Sequence, residues 1–394
     1  MKKSLLILFL LFIIMRMNGS TVQGVIMDSV AKMHIPYASV YFNSKCGTIT
    51  DFNGDFVLYA KKINSEDSLW VSCIGYHRKS ISVKDLSFTE INKIYLIPVV
   101  YSLDTSEIST AKITPYQLLQ DAFKNIKTNS KDDKHFYKGT YFEQIRNYDH
   151  VKKWHSRTLN CAVIVEDPGY GRTHGSSLGI NENIYILGIN KSTEDSITKV
   201  LFNEPNYLSW TMENNYYRYD CSYFDSPRSY DYKIKSTYYD SIIKKNMIEI
   251  SITSKKPKKK FVNCEVYLSS SDHKIYKMHV LYQYKPKDTL VSSGSKNYYR
   301  YNSDVIVIYK PDNNNKMELS YIKYEFEDGD FRYEDDKPVI SSKRTMEYKV
   351  IGEVEKGEDL VKGISKMDNN TRIYDQKVID NKDFWLENNV ILKE

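Results

Sequence analysis

Short runs with an apolar side chain at every second position, broken repeatedly by Gly, Pro, Asn or Asp, fill residues 22–98. A period of two places alternate residues on opposite faces of a strand, and a helix cannot keep such a face apolar. The runs are "TVQGVIMDS", "AKMHIP", "YASVYFN", "GTITD", "GDFVLYA", "SLWVSCIGY", "HRKSISV" and "INKIYLIPV". In "DFVLYA", Phe56 and Leu58 take one face and Val57 and Tyr59 the other. Short strands with turns this frequent predict an antiparallel β-sandwich. Its expected core is Val25, Val40, Ile49, Phe56, Leu69, Val71, Ile81 and Leu96.

The stretch "GTITDFNGDFVL" admits two readings. Asp51, Asn53 and Asp55 are spaced as calcium ligands can be. A calcium loop, however, needs glycine where Phe56 stands and an acid where Lys62 stands. A hairpin needs only what is present: Gly54 for a positive φ, and the Asp51 carboxylate to accept backbone N–H groups and close the turn. The hairpin is the expected structure.

After residue 98, "VYSLDTSEISTAKIT" reads as an extended connector, and the period then changes. Leu118, Leu119, Ala122, Phe123 and Ile126 share one helical face; Thr114 can cap that helix, with Pro115 at its first position. From "HFYKGTYFEQIRN" onward the pattern is of strands again, with "KKWHSRTLNCAVIVED" as partner. A Gly-rich loop at "DPGYGRTHGSSLGIN" and a short helix within "STEDSITKVLFNEP" precede a long meander from residue 230. In "IYKMHVLYQY", Tyr276, Met278, Val280 and Tyr282 share one face, with Lys277, His279 and Gln283 on the other. The expected class is mainly β: a seven-stranded sandwich, a linking amphipathic helix and a C-terminal curved antiparallel sheet. The expected divisions are a signal peptide at 1–20, the sandwich at 21–98, linker and helix at 99–133, and a β-rich domain at 134–394.

The residues of the sandwich resemble the carboxypeptidase-regulatory-like domain, a transthyretin-like seven-stranded fold. The matching elements are Gly24 and Asp28, Pro36 with Ala38-Ser39-Val40, Gly47-Thr48, Thr50-Asp51, Gly54 with Phe56, and Ile74-Gly75-Tyr76. With its helix "PYQLLQDAFKNI" and its closing "DFWLENNVIL", the whole chain resembles exported carboxypeptidase-like regulatory domain-containing proteins of Gram-negative envelopes. The strand layout of the later region resembles the half-barrel of lipoprotein carriers. In carboxypeptidases such a sandwich accompanies a separate zinc catalytic domain. In TonB-dependent receptors it precedes a plug and a barrel, for which the remaining residues are too few.

The N-terminus fits export. Lys2 and Lys3 precede an apolar run from Ser4 to Met15, too short to span a bilayer comfortably, and Gly19 and Ser20 suit cleavage. No later segment reads as a transmembrane span. Of 56 basic and 50 acidic residues, three basic ones lie in the leader, so the mature chain carries +3, too little for nucleic acid. Five cysteines, Cys46, Cys73, Cys161, Cys221 and Cys264, form no zinc pattern and read as mostly free thiols.

Catalytic motifs are weak. His150 and His155 lie in "YDHVKKWHS" without an HExxH pattern, and His174 and His279 stand alone. Gly175-Ser176-Ser177-Leu178-Gly179 lacks a strand–helix elbow and reads as loop. Five lysines around Pro257 in "SKKPKKKF" read as a solvated hairpin tip, with anionic lipid headgroups as the alternative. No catalytic, cofactor-binding or metal-ligating residue is assigned, and no cofactor. The sequence therefore predicts a non-catalytic, envelope-associated protein that binds an envelope protein, lipid or glycan. A hydrolase with its site in the C-terminal domain is the alternative, and a purely structural member of an outer-membrane assembly is a third.

Overall fold

The computed structural model describes residues 20–42, 46–51, 53–60, 63–73, 75–99, 113–148, 154–170, 182–192, 206–218, 224–240, 243–255, 260–284, 290–293, 296–332, 337–364, 366–368, 371–376 and 378. The chain is mainly β. Its described residues form two compact units, one holding the strands from Ser20 to Leu96, the other the helix at Pro115 and the strands beyond it.

The first unit has seven strands: β1 (Ser20–Asp28), β2 (Ser39–Phe42), β3 (Cys46–Ile49), β4 (Asp55–Ala60), β5 (Ser68–Ser72), β6 (Lys79–Ser82) and β7 (Asn92–Leu96). They form one sheet in the order β4-β1-β7 and another in the order β3-β2-β5-β6. All pairs are antiparallel except β1 with β7, which is parallel. Val22, Ile26, Val40, Phe42, Phe56, Leu58, Leu69, Val71, Ile94 and Leu96 pack between the sheets. Gly24 faces this core too, because a Cβ there would stand 2.5 Å from the Phe56 ring. Glycine is the space the ring occupies.

Two expectations for this unit are corrected. "AKMHIP" is a turn with one isolated bridge, Met27 to His34, and Lys32 takes a positive φ of 57°. Ile49 lies outside the core, since Thr48 and Thr50 take the inner face of the β3 segment, whereas Val25 is buried as expected. The inward Thr50 costs little because its hydroxyl accepts from Ala38 N at 2.8 Å and donates to Ile35 O at 3.0 Å.

The hairpin reading of Asp51 holds. Its Oδ1 accepts from Asn53 N at 2.8 Å and Asp55 N at 2.9 Å, and Gly54 N donates to Asp51 O at 3.0 Å. Gly54 has φ +75°, and a Cβ there would meet Ile26 O at 2.7 Å. Two other motif elements meet in space: Tyr76 donates its hydroxyl to Asp28 Oδ2 at 3.0 Å, while Asp28 Oδ1 accepts from Val30 N and Ala31 N. The Ala31 N–H, with help from Val30 and Tyr76, outweighs burial and holds the Asp28 carboxyl below its ordinary range.

The second unit begins with α1 (Pro115–Asn129). Thr114 and Gln117 form the reciprocal capping box at its start, and Leu118, Leu119, Ala122 and Ile126 are buried, as the periodicity predicted. The strands are β8 (His135–Tyr148), β9 (Trp154–Asp167), β10 (Asn183–Lys191), β11 (Tyr230–Asp240), β12 (Lys245–Ser254), β13 (Lys260–Ser269), β14 (Ile275–Tyr284), β15 (Leu290–Ser293), β16 (Lys296–Pro311), β17 (Met317–Arg332) and β18 (Lys337–Glu353). They make one sheet in the order β10-β9-β8-β18-β17-β16-β14-β13-β12-β11, with β15 beside β16. The sheet is not closed.

This order has a topological consequence. β10 and β11 follow one another in sequence but stand at opposite edges, so the chain between them must cross the sheet. The described part of that crossover includes α2 (Tyr207–Met212), capped by Asn206, and the turns up to Arg218. Tyr207, Leu208, Met212, Tyr217 and Phe224 are buried. The Tyr217 ring packs tilted against Tyr309 with centroids 4.3 Å apart, and its hydroxyl both donates to Ile275 O and accepts from Ile275 N. On the strands, Ile248, Ile250, Val262, Val266, Val305 and Val307 are buried, as are Met278 and Val280, which share the face read for them in "IYKMHVLYQY".

β10 and α2 are not among the sequence-predicted elements. The helix expected in residues 192–205 falls almost wholly outside the described residues, as do most of the 99–113 connector, "GRTHGSSLG" and the closing "DFWLENNVIL".

Candidate functional site

The inner face of the large sheet carries buried ions, which an all-apolar core would not. Glu143 Oε1 receives Arg157 Nη2 at 2.7 Å, and Glu143 Oε2 receives the Tyr141 hydroxyl at 2.8 Å. Arg344 donates to Asp328 at 2.9 Å. Each guanidinium also faces a ring: Arg344 lies 5.4 Å from the Tyr207 ring of α2, and Arg157 5.0 Å from the Tyr374 ring. These two contacts pin covering segments to the sheet.

Where β8 starts and β9 ends, beside the C-terminus of α1, lies a small open pocket of about 50 Å3. Ser130, Lys131, His135, Asp167, Asn215, Tyr217, Arg218 and Glu318 contribute to its wall. Local sequence explains the placement. Ser130 bridges to Met317, bringing α1 against the start of β17. His135 and Asp167 stand directly opposite each other in the β8–β9 ladder. Asp167-Pro168-Gly169 then turns the chain, with Asp167 Oδ1 accepting from Gly169 N at 2.8 Å. Gly169 has φ +91°, and a Cβ there would strike Asp132 O, so only glycine permits this closeness. Asn215 N donates to Met212 O and Arg218 N to Asn215 O, a turn that carries both side chains in from the crossover.

Arg218 is buried between two carboxylates. Its Nη2 lies 3.1 Å from Asp167 Oδ1 and its Nε 3.7 Å from Glu182 Oε1. Neither contact has hydrogen-bond alignment. Behind them the Tyr348 hydroxyl is fully buried without a hydrogen-bond partner; burial, with Glu182 and Asp167 nearby, pushes that phenol well above its ordinary value. Lys131 faces Glu353 at 3.0 Å, Glu318 at 3.3 Å and Asp312 at 3.4 Å. Burial alone would lower its ammonium, but these carboxylates outweigh it and raise it.

Few residues singled out from sequence are here. His279 does not stand alone: on the other face of β14, its Nε2 is 2.8 Å from Asp304 and its Nδ1 3.6 Å from Glu265. Its two nitrogens point to different carboxylates, so the trio does not converge on one point. Among the described residues no group of His, Cys, Asp and Glu is arranged to hold a metal ion. His150, His174, Ser176, Ser177 and Lys256 to Lys259 lie outside the described residues, and Lys255 of the same run reaches Pro227 O at 2.7 Å. Cys161 is a buried free thiol. No described helix is long and apolar enough to cross a membrane.

Sequence reasoning missed His135, Asp167, Asn215 and Arg218. The available signal was the Asp-Pro-Gly turn ending a strand whose partner begins with His135.

Comparison with known proteins agrees with the sandwich. The family model of the CarboxypepD_reg-like domain matches residues 22–102, so this stretch is a carboxypeptidase-regulatory-like domain. No curated protein matches the chain. Among solved structures, a DUF1329 family protein from Desulfovibrio piger is 11% identical, with 60% of this chain and 90% of that one covered, at a TM-score of 0.22. A LolA superfamily protein from Nitrosomonas europaea is 8% identical over 58% of this chain and 90% of its own, at 0.20. MucB of Pseudomonas aeruginosa in its complex with MucA is similar at 8% identity, 65% and 99% coverage and 0.20. Likeness that distant assigns neither function nor ligand to this chain.

Proposed function

We propose that the chain is an exported, envelope-associated binding protein without catalytic activity. Its regulatory-like sandwich, bounded near residue 98, serves as a docking or spacer module. The sheet domain from residue 134 holds the ligand. The observation that carries this reading is the pocket at Asp167 and Arg218. Desolvating a guanidinium beside two carboxylates is expensive and contributes little net stability. Breaches of this kind concentrate at functional sites. The pocket's one hydroxyl nucleophile from α1, Ser130, donates its proton to Ile126 O at 2.7 Å, and His135 Nδ1 is engaged with Asp133 O at 2.9 Å. Ser130 and His135 are thus each committed to backbone rather than to each other, which supports binding over nucleophilic chemistry.

Export rests on the leader-like residues before Ser20. Expressed from Met1 in a Gram-negative host, the protein is expected in the envelope fraction with a mature N-terminus close to Ser20. Cytoplasmic protein that retains Met1 would overturn this part of the reading. Mass spectrometry of molecules that co-purify with the envelope form tests the rest, and recovery of one protein neighbour with no small molecule would favour a structural role.

A further inference from the structure

We infer that the pocket takes the hydroxyl groups of an uncharged saccharide. This deepens the binding reading above and rests on it. The first argument is the state of the polar groups on the wall. Asn215 lines the pocket at 6% exposure, and its Oδ1 has no hydrogen-bond partner. Arg218 lines it at 9% exposure, and its Nε and Nη2 have none either, because the carboxylates at 3.7 and 3.1 Å lie out of alignment. The wall therefore holds an acceptor that lacks a donor beside donors that lack an acceptor. Groups left buried in that condition cost free energy, so a well-matched occupant answers both kinds. A hydroxyl does so, since its one oxygen both donates and accepts. An ammonium only donates, and an ionised carboxylate only accepts.

The second argument is charge, and it is independent of the first. On the wall, Lys131 and Arg218 are matched by Asp167 and Glu318. Lys131 Nζ lies 3.3 Å from Glu318 and Arg218 Nη2 3.1 Å from Asp167. An ionic guest would leave a charge over among these pairs, whereas a neutral guest keeps the balance. The third argument is size and lining. A volume of about 50 Å3 admits roughly three or four water molecules, which is room for a hydroxymethyl group or two neighbouring hydroxyls but not for a sugar ring. The ring then rests at the open mouth. Hydroxyls that displace water from such a site repeat its hydrogen bonds. Tyr137, Tyr217, Met317, Leu319 and Val350 give the rest of the wall apolar surface, which suits the C–H faces of a sugar.

Titration calorimetry of the full mature chain with cellobiose, maltose, N,N′-diacetylchitobiose, ethanolamine and inorganic phosphate tests this. At least one disaccharide is expected to bind, and each ionic probe to bind about tenfold more weakly or worse, the loss that one unmatched polar group produces. Asn215→Leu and, separately, Arg218→Met, each checked for folding by circular dichroism, are expected to weaken the disaccharide about tenfold. Asn215→Asp keeps the size but adds a negative charge, and is expected to weaken the disaccharide and strengthen ethanolamine. The contrast between neutral and ionic probes on the unaltered chain stands even where a variant does not fold. The same hydroxyls occur on free oligosaccharides and on polymers. Co-sedimentation with insoluble cellulose or chitin assigns a polymer, and disaccharide binding without it assigns a free sugar. Disaccharide binding that is unchanged in folded Asn215→Leu and Arg218→Met chains overturns the inference, because the sugar then sits elsewhere. Ethanolamine or phosphate binding as tightly as the best disaccharide also overturns it, and the loss of that binding in Asn215→Leu spares the binding reading. Silence from every probe overturns both.

Discussion

The two units bury different chemistry. The sandwich closes over aliphatic and aromatic side chains, and the one buried carboxylate among its described residues, Asp28, is held by two backbone N–H groups and Tyr76. The large sheet buries Glu143, Arg157, Asp167, Glu182, Arg218, Asp328, Arg344 and Glu347. Area removed from water stabilises the first kind of core and tolerates some repacking. The second kind depends on charges meeting their partners, and a missing partner is costly. A small domain can thus be carried by spacing and volume, whereas a sheet crossed by its own chain needs fixed ionic anchors to place that chain.

The sharpest break of this contrast is at Glu143. Replacing it with Gln keeps its shape but removes the carboxylate that Arg157 Nη2 meets at 2.7 Å, and should cost about 3–5 kcal/mol in urea unfolding. Glu143→Leu combined with Arg157→Leu should cost far less than the single change. A single variant as stable as the parent would show that the pair is hydrated. Next comes Phe56 in the sandwich. Phe56→Ala should cost about 3–5 kcal/mol, and Phe56→Leu under about 1.5 kcal/mol, because volume and not charge is what that core requires. Equal losses from the two would erase the distinction.

The smallest effect is in pH dependence, on the exposed face of the large sheet. Burial would lower His279, but its hydrogen bonds to Asp304 and Glu265 outweigh this and raise it from 6.5 to about 9. The His279 contact is also the main reason Glu265 is lowered from 4.5 to about 2, with Lys235 assisting. A raised histidine stabilises fully below its unfolded value and loses that contribution as pH climbs through 9. A depressed carboxylate stabilises above its unfolded value and loses it as pH falls through 2. The cluster therefore contributes most between about pH 4.5 and 6.5. His279→Gln should flatten the decline in melting temperature from pH 6.5 to 9. A proton NMR midpoint for His279 near 6.5 would show that the contacts do not form.

Much of the fold was legible because strands announce their faces. In "DFVLYA" Phe56 and Leu58 were read on the face that is buried, and in "IYKMHVLYQY" Tyr276, Met278 and Val280 are buried while Tyr282 on the same face is only partly so. Ile49 was misassigned because a shift of one residue exchanges the faces of a strand. β10 escaped because Ile184 to Leu187 is an unbroken apolar run, so the sequence shows no polar face there although the strand's burial alternates. The parallel β1–β7 pair escaped because side-chain periodicity carries no strand direction. The pocket was hidden for another reason. His135 and Asp167 become neighbours only once the β8–β9 register is known, and Arg218 reaches them only because β10 and β11 occupy opposite edges. Turn chemistry such as that of Asp51 and Gly54 is local, and so could be read in full.

An unclosed sheet has two rims where a foreign strand could dock, and this one treats them differently. At β10, Met367 N donates to Ile184 O at 2.7 Å and Lys366 bridges Tyr185, so a late segment of the same chain sits where an intruder would. At β11, Lys233 and Lys235 are exposed along the strand, and such lysines discourage a matching edge. Truncation before Lys366 would uncap the first rim and leave the second charged, turning a self-limiting molecule into one able to add copies from one side only.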